Sequence, residues 1–276
     1  MATTNTALQN AFTPEDYGKL VDAEITDKAV AFQAATVVNT GKHQVRFPIL
    51  VTDPETGWYA ENTPITLVDP VTNEVVVVPT KVAGLTQVSN ESVEDTDPAV
   101  AAMIGKALAR DIGKKVDAAF FGDTVTHGPS GLLSVQGVQV VDTTAGWTTL
   151  DYVHDAKSKA MANGAELTHI VLAPDVALAL SKAKTASGSN QGLIESVDDG
   201  IKLAGLIALV SPAVTAGNAW ALDSSQVMTV LRKGTAVTMS TDAAFGSDAT
   251  QVRAVARIGF GHANPSGIVR LHAVAA

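Results

Sequence analysis

Residues 44–80 constrain the fold of this chain most, because they combine strand-forming segments with many prolines. The segments QVRFPILV and EVVVV are rich in apolar and β-branched residues and predict two strands. Proline cannot donate to a sheet ladder, so these residues are unsuited to a central sheet and predict a long two-stranded arm. An isolated hairpin is marginal in water, so the arm needs another surface. Five of the eleven prolines of the chain lie here: Pro48, Pro54, Pro64, Pro70 and Pro79.

The arm is acidic and carries aromatic residues near its tip. No Lys or Arg occurs from Phe47 to Thr80. Trp58 and Tyr59 would be costly to leave exposed and useful at an interface. We interpret the arm as a contact between overlapping subunits, and an ordinary surface loop with a chance run of charge remains the alternative. Its acidic residues are Asp53, Glu55, Glu61, Asp69 and Glu74.

The segment that follows, residues 81–123, predicts a strand, a short polar turn and one long helix. Asp97 suits the N-cap and Pro98 the first helical position, while Gly122 is placed to be the left-handed residue that ends the helix. Met103 widens an apolar row that recurs every fourth residue, so the helix needs packing partners on more than one side. An ordinary core helix is the alternative. The row consists of Val100, Ile104, Leu108, Ile112, Val116 and Phe120.

The remaining segments predict an α/β alternation. Residues 1–40 are polar and Ala-rich and predict no compact unit. Residues 149–163 predict a helix with Leu150, Val153 and Met161 on its apolar side. Residues 169–174 predict a short buried strand, and Asp175 is expected to cap a second helix. Residues 203–211 are read as one strand, and further strands and turns continue to the end of the chain.

Composition limits the function classes. The charge of −9 argues against nucleic-acid binding through a broad basic face. The absence of Cys excludes disulfides and thiolate chemistry. Hydrophobic residues make up 46% of the chain and aromatic residues only 5%, which predicts a core of Ala and Val. The chain shows no signal peptide and no apolar run near the ~20 residues that span a bilayer, so we expect a soluble protein made in a cytoplasm, without a membrane partner.

No catalytic, cofactor-binding or metal-binding constellation is present in the sequence. The six histidines lack metal-ligand spacing, and no Walker A motif or G-x-S-x-G elbow occurs. Residues 259–261, GFG, fail the dinucleotide pattern and are interpreted as a strand feature. We therefore expect no cofactor and no enzymatic activity.

Four blocks together resemble the tailed-phage major capsid proteins of the HK97 fold. They are WYAE at 58–61, the strand-to-helix segment KVAGLTQVSNESVED with DAAFFGD, GPSGLL at 128–133, and the ending VRAVARIGFGHANPSGIV. The resemblance implies an α+β, HK97-like capsid fold. Its parts would be an N-terminal arm with its lead-in (1–43), an extended β-hairpin loop (44–80), a peripheral domain (81–127 and 234–261) with a spine helix over 98–121, and an axial domain (128–233 and 262–276).

Two departures from the family matter. The prototype of the family joins a loop Lys to an Asn that follows a Val-Arg pair near the C-terminus. Here the loop contains no Lys, and Ala254 follows Val252 and Arg253, so no isopeptide cross-link is expected. Some members of the family start with a long cleaved scaffolding segment, and nothing resembling one precedes the N-terminal arm here, which implies a separate scaffolding protein or assembly without one.

The resemblance implies a major capsid protein that self-assembles through pentamers and hexamers into an icosahedral shell around double-stranded DNA. Its partners would be identical subunits, a portal and a scaffolding protein, and the DNA would be enclosed without sequence-specific binding. It would be assembled in the host bacterial cytoplasm and located in the virion capsid. An encapsulin-type compartment is one alternative, and a soluble α/β enzyme is a lesser one. The expected interface residues are Trp58, Tyr59, Glu55, Glu61, Lys106, Arg110 and Lys114.

Overall fold

A computed structural model describes residues 29–52, 56–91, 99–184, 192, 195–197, 200–232 and 236–273 of the chain. The fold is mixed α+β, as expected. The helices are α1 (Val30–Gln33), α2 (Ala99–Phe121), α3 (Asp151–Ala162) and α4 (Pro174–Lys182). The strands are β1 (Thr36–Thr40), β2 (Val45–Thr52), β3 (Val71–Val77), β4 (Thr80–Ser89), β5 (Gln139–Asp142), β6 (His169–Leu172), β7 (Glu195–Val197), β8 (Gly200–Leu203), β9 (Leu206–Val210), β10 (Ala219–Leu222), β11 (Val227–Arg232), β12 (Ala236–Ala244), β13 (Ala249–His262) and β14 (Val269–His272).

Strand β13 is the centre of a five-stranded sheet. Along one edge it pairs antiparallel with β4, from Ala249 to Ile258. Its other edge pairs with β12 over the first half and with β11 from Ile258 onward, both antiparallel. Strand β1 then adds parallel to β11. Burial largely alternates along β13, because successive side chains point to opposite faces of the sheet and one of these faces packs on the core.

A second sheet has seven strands in the order β5-β14-β10-β6-β9-β8-β7. The pairs β5/β14 and β6/β9 are parallel and the others are antiparallel. Helix α3 packs on β5 and β14 through Val153, Ala156 and Ala160, each at most 1% exposed. The small side chains let the helix approach closely, so the core is rich in Ala and Val, as composition predicts.

Helix α2 is buried along its C-terminal half. Ile112 and Val116 are buried there, whereas Ile104 and Leu108 are half-buried. Phe120 lies edge-on to Phe260 of β13, with 4.9 Å between ring centroids. Met103 is 63% exposed, so the expectation that it widens the buried row is wrong. The predicted cap residues, at positions 97 and 98, lie outside the described residues.

The end of α2 is shaped by the GPSGLL segment rather than by a left-handed glycine. Gly122 does not have a positive φ, so that prediction is wrong. Instead, the backbone N–H of Leu133 donates to the carbonyl of Gly122 over 3.0 Å. A side chain on Gly131 would overlap the carbonyl oxygens of Ala119 and Gly122. Gly131 therefore lets the turn satisfy the free carbonyl groups at the helix C-terminus.

Residues 29–35 form a buried unit that sequence reasoning did not anticipate. The Asp117 carboxylate on α2 accepts from the N–H groups of Val30 and Ala31, at 3.1 and 2.9 Å. It thereby fills the capping role at the start of α1, whose own N-cap side chain makes no such bond. Burial raises the pKa of Asp117 although the two N–H groups oppose that rise. The expectation of no compact unit over 1–40 is wrong for this part.

Three local expectations in the α/β region are also wrong. Residues 203–211 do not form one strand, because Ala204 and Gly205 adopt positive φ and form the turn of the hairpin of β8 and β9. Asp175 does not cap α4; its carboxylate accepts from the N–H of Gly217 over 2.7 Å. Met161 is 71% exposed, although Val153 of the same predicted face is buried.

Replacing Asp117 by Ala leaves two buried N–H groups without an acceptor. We expect the free energy of unfolding to fall by about 2–4 kcal/mol, since an unsatisfied buried donor costs ~1–3 kcal/mol. Urea denaturation measures the change. Asp111→Ala, at an exposed position of the same helix, is the control and should change stability by less than about 0.5 kcal/mol. Equal effects of the two substitutions would contradict the capping role.

Candidate functional site

The arm is a hairpin of β2 and β3, as predicted, and it has almost no core of its own. The two strands pair antiparallel from Val45 with Val77 to Thr52 with Val71. Among the described residues from 36 to 76, none is buried. Within the described part of the chain β2 and β3 pair only with each other, so each keeps an open outer edge. Open strand edges are templates for pairing with another chain.

Large apolar side chains are exposed along the arm. Trp58 is fully exposed, and Ile65 and Leu67 are 77% and 89% exposed. Large exposed apolar surfaces typically mark interaction sites. Sequence reasoning did not single out Ile65 and Leu67. The available signal was an apolar alternation, ITLV, bounded by two prolines.

The two predicted anchors differ in their surroundings. The Trp58 side chain projects into solvent. Tyr59 is 43% exposed, and its hydroxyl accepts from the N–H of Thr66 over 3.3 Å, so it also braces the loop. Thr63 closes a turn on the carbonyl of Ala60, with its hydroxyl 2.5 Å away. The loop is therefore shaped by its own hydrogen bonds while Trp58 remains without a packing partner among the described residues.

The acidic residues of the arm are only partly neutralised by the arm itself. Arg46 on β2 lies 2.7 Å from Glu74 on β3, with both side chains about half exposed. Such an exposed pair contributes about 0–1 kcal/mol. Glu61 and Asp69 are exposed and form no ion pair with any described residue. Glu55 lies outside the described residues.

The three predicted basic residues share one outward side of α2. Lys106, Arg110 and Lys114 are each exposed, and their spacing of four places them along one flank of the helix. None of them forms an ion pair with another residue that the structure describes. The structure does not bring them into contact with the arm of the same chain.

The root of the arm sits on two glycines of β13. A Cβ on Gly259 would lie 2.8 Å from a methyl group of Val77, and a Cβ on Gly261 would lie 2.7 Å from the other. The absence of side chains at 259 and 261 therefore lets β3 close onto the five-stranded sheet, and Val77 is 2% exposed as a result. GFG is a strand feature, as predicted.

The described residues offer little for chemistry. No group of three or more His, Asp or Glu among them could hold a metal ion. No helix in the described segments has the length and apolarity to cross a bilayer. Ala254, the residue that follows Val252 and Arg253, is fully buried in β13 between Val237 and Gly84. The arm is thus the main exposed feature that calls for a functional explanation.

Comparisons with known proteins agree with this arrangement. The sequence matches the phage capsid family over residues 11–273. Among solved structures, one from Mycobacterium phage Bobi is 18% identical, covers 90% of this chain and 91% of its own, and has a TM-score of 0.71. The capsid of an empty GTA particle is 20% identical with 90% coverage of both chains and a TM-score of 0.74.

A structure from Mycobacterium phage Adephagia is 16% identical, covers 100% of this chain and 95% of its own, and has a TM-score of 0.73. At these identities the similarity establishes the fold. A search of curated proteins finds no significant match.

Adding one methyl group at Gly261 should loosen the root of the arm. Gly261→Ala places a Cβ against Val77, so we expect a loss of about 1–3 kcal/mol in the free energy of unfolding. Gly246→Ala is the matched control, because nothing lies within 4 Å of its Cβ position. Thermal denaturation of the two variants checks this. A Gly261→Ala variant as stable as the control would contradict the close seating of β3 on β13.

Proposed function

The chain belongs to the phage capsid family, and we propose that its copies assemble through pentamers and hexamers into a closed icosahedral shell that encloses double-stranded DNA. As a capsid shell protein it is structural and not an enzyme. Its working parts are therefore the surfaces through which identical subunits meet.

The main support for this proposal is that the arm exposes large apolar side chains that its own chain does not cover. Burying one large apolar side chain contributes about 1.5–3 kcal/mol, so covering Trp58, Ile65 and Leu67 outweighs any exposed ion pair. No described part of the same chain covers them. In a closed shell every subunit both gives and receives the same contact, so the contribution is repeated throughout the particle.

The division into capsid domains is part of the proposal. Residues 1–43 would be the N-terminal arm with its lead-in and 44–80 the extended loop. Residues 81–127 with 234–261 would form the peripheral domain, in which α2 is the spine helix. Residues 128–233 with 262–276 would form the axial domain. The two sheets support most of this division, since β4, β12 and β13 share one sheet while β5, β6, β10 and β14 share the other. Strands β1 and β11 depart from it, because both belong to the sheet of β13.

The proposed interface places the arm of one subunit over the peripheral domain of its neighbour. Trp58 and Tyr59 would be the apolar anchors. Glu55 and Glu61 would meet basic residues of the neighbour's spine helix. Exposed pairs of this kind set orientation more than affinity. The candidate basic partners are Lys106, Arg110 and Lys114.

Further partners follow from the proposed shell. A portal and a separate scaffolding protein would act during assembly in the host bacterial cytoplasm, and DNA would be enclosed without sequence-specific contacts. The charge of −9 supports enclosure rather than binding. No isopeptide bond would join the subunits, because the arm has no Lys between Phe47 and Thr80 and residue 254 is Ala.

Deleting residues 53–72 tests the role of the arm in assembly. We expect the deletion to yield a soluble monomer or small oligomer, because the apolar contact with the neighbour is lost. Negative-stain microscopy and sedimentation of the purified protein measure this, with the full-length chain as the control. Circular dichroism should show that the two larger sheets remain folded. Intact shells formed by the deleted chain would contradict the role of the arm.

A further inference from the structure

An apolar groove lies on one flank of α2 and has no assigned role. It is bounded by β4, by α2 and by the turn at residues 125–129, and its volume is about 470 Å³. That volume falls within the range of about 300–1,000 Å³ typical of ligand pockets. Most of its lining is apolar: Val82 from β4, Leu108, Ile112 and Val116 from α2, Val125 from the turn, and Ile258 and Phe260 from β13.

Strand β4 and helix α2 approach closely at Gly84, on one side of the groove. Gly84 has no side chain, and a Cβ there would lie 3.0 Å from Leu108. Helix α1 covers a different flank of α2, where Ala29 faces Gly113 and Asp117 caps α1. The groove flank is not covered by any described element, and Ala118 at its rim is exposed.

The rim of the groove is more basic than the chain as a whole. Lys81 and Lys115 line it together with one acid, Asp111. All three are exposed. These three residues carry a formal charge that is positive, while the whole chain carries −9. A groove with an apolar floor and a cationic rim suits an apolar side chain carried on an acidic segment.

The tip of the arm has that chemistry. Trp58 is the most exposed large apolar side chain among the described residues. The acids Glu61 and Asp69 lie in the same loop, which contains no Lys or Arg. Tryptophan is enriched at the energetic centres of interfaces, where it fills a pocket of the partner.

We propose that the groove of one subunit receives Trp58 of a second copy of the chain, with Lys81 and Lys115 facing the acids of the incoming loop. The inference rests on the proposed shell and names the receiving surface within it. Trp58 does not contact the groove of its own chain, since it is fully exposed. At 100° per residue, the row of Lys106, Arg110 and Lys114 lies roughly 140° around α2 from the groove. In this docking, Lys81 and Lys115 therefore replace that row as the basic partners of Glu61.

Cysteine cross-linking in assembled particles tests this, because the natural chain contains no Cys. One purified full-length chain carries Gly57→Cys, at an exposed position that leaves Trp58 in place, and a second carries Ala118→Cys. The two are mixed, assembled and treated with a short bifunctional maleimide, and cross-linked dimers are measured on denaturing gels. With one Cys in each chain, a 57–118 product joins two different copies. Met161→Cys, at an exposed position of α3, replaces Ala118→Cys in the matched control.

We expect at least about tenfold more dimer from the 57–118 pair than from the 57–161 pair, because docking raises the local thiol concentration to the millimolar range. Shells without the 57–118 product would overturn the groove assignment and leave the proposed function intact. A failure of the unsubstituted chain to form any shell would contradict the proposed function itself. Phe245 is another exposed aromatic residue, and preferential cross-linking of position 118 to a Phe245→Cys chain would assign the groove to that segment and overturn the inference.

Discussion

The hairpin of β2 and β3 cannot bury its own apolar residues, and this constraint determines how the chain has to be completed. Two paired strands form a single layer, and such a layer is stable only when a second layer covers its apolar face. In this chain the five-stranded sheet holds the hairpin at its root, where Val77 rests on glycines 259 and 261. Beyond the root the side chains of the arm are exposed. A second copy of the chain is the cover that a self-assembling shell supplies.

The rest of the fold provides a rigid base for that hairpin. Strand β13 joins β4, β11 and β12 into one sheet, and α2 packs on it through Phe120 and Phe260. Asp117 ties α1 to the same helix by two hydrogen bonds. The turn around Gly131 satisfies the C-terminus of α2. With its root and supporting helix held in this way, the arm has a defined position relative to the sheet. A contact repeated in every subunit needs such a defined geometry.

The main elements were predictable from local patterns. The β-branched residues around Pro48 predict a two-stranded arm, and the fourfold apolar spacing predicts α2. Together with the order of four sequence blocks, these patterns were enough to identify the capsid family. The Trp58 anchor was proposed from composition, and the structure shows it fully exposed.

The elements that sequence reasoning missed depend on contacts between distant residues. Helix α1 has four residues and is capped by a carboxylate 87 positions away from Val30. The turn between β8 and β9 uses Ala204 at positive φ, which an apolar run does not reveal. The groove combines residues of β4, α2 and the turn after α2, and no local pattern indicates that they meet.

Electron cryo-microscopy of particles assembled from the purified full-length chain is the most direct test of the central claim. At a resolution that traces side chains, residues 44–80 of each subunit should lie against an adjacent copy, with Trp58 covered by that copy. A map in which the arm folds back onto its own subunit, or remains free of any neighbour in a closed particle, would contradict the account.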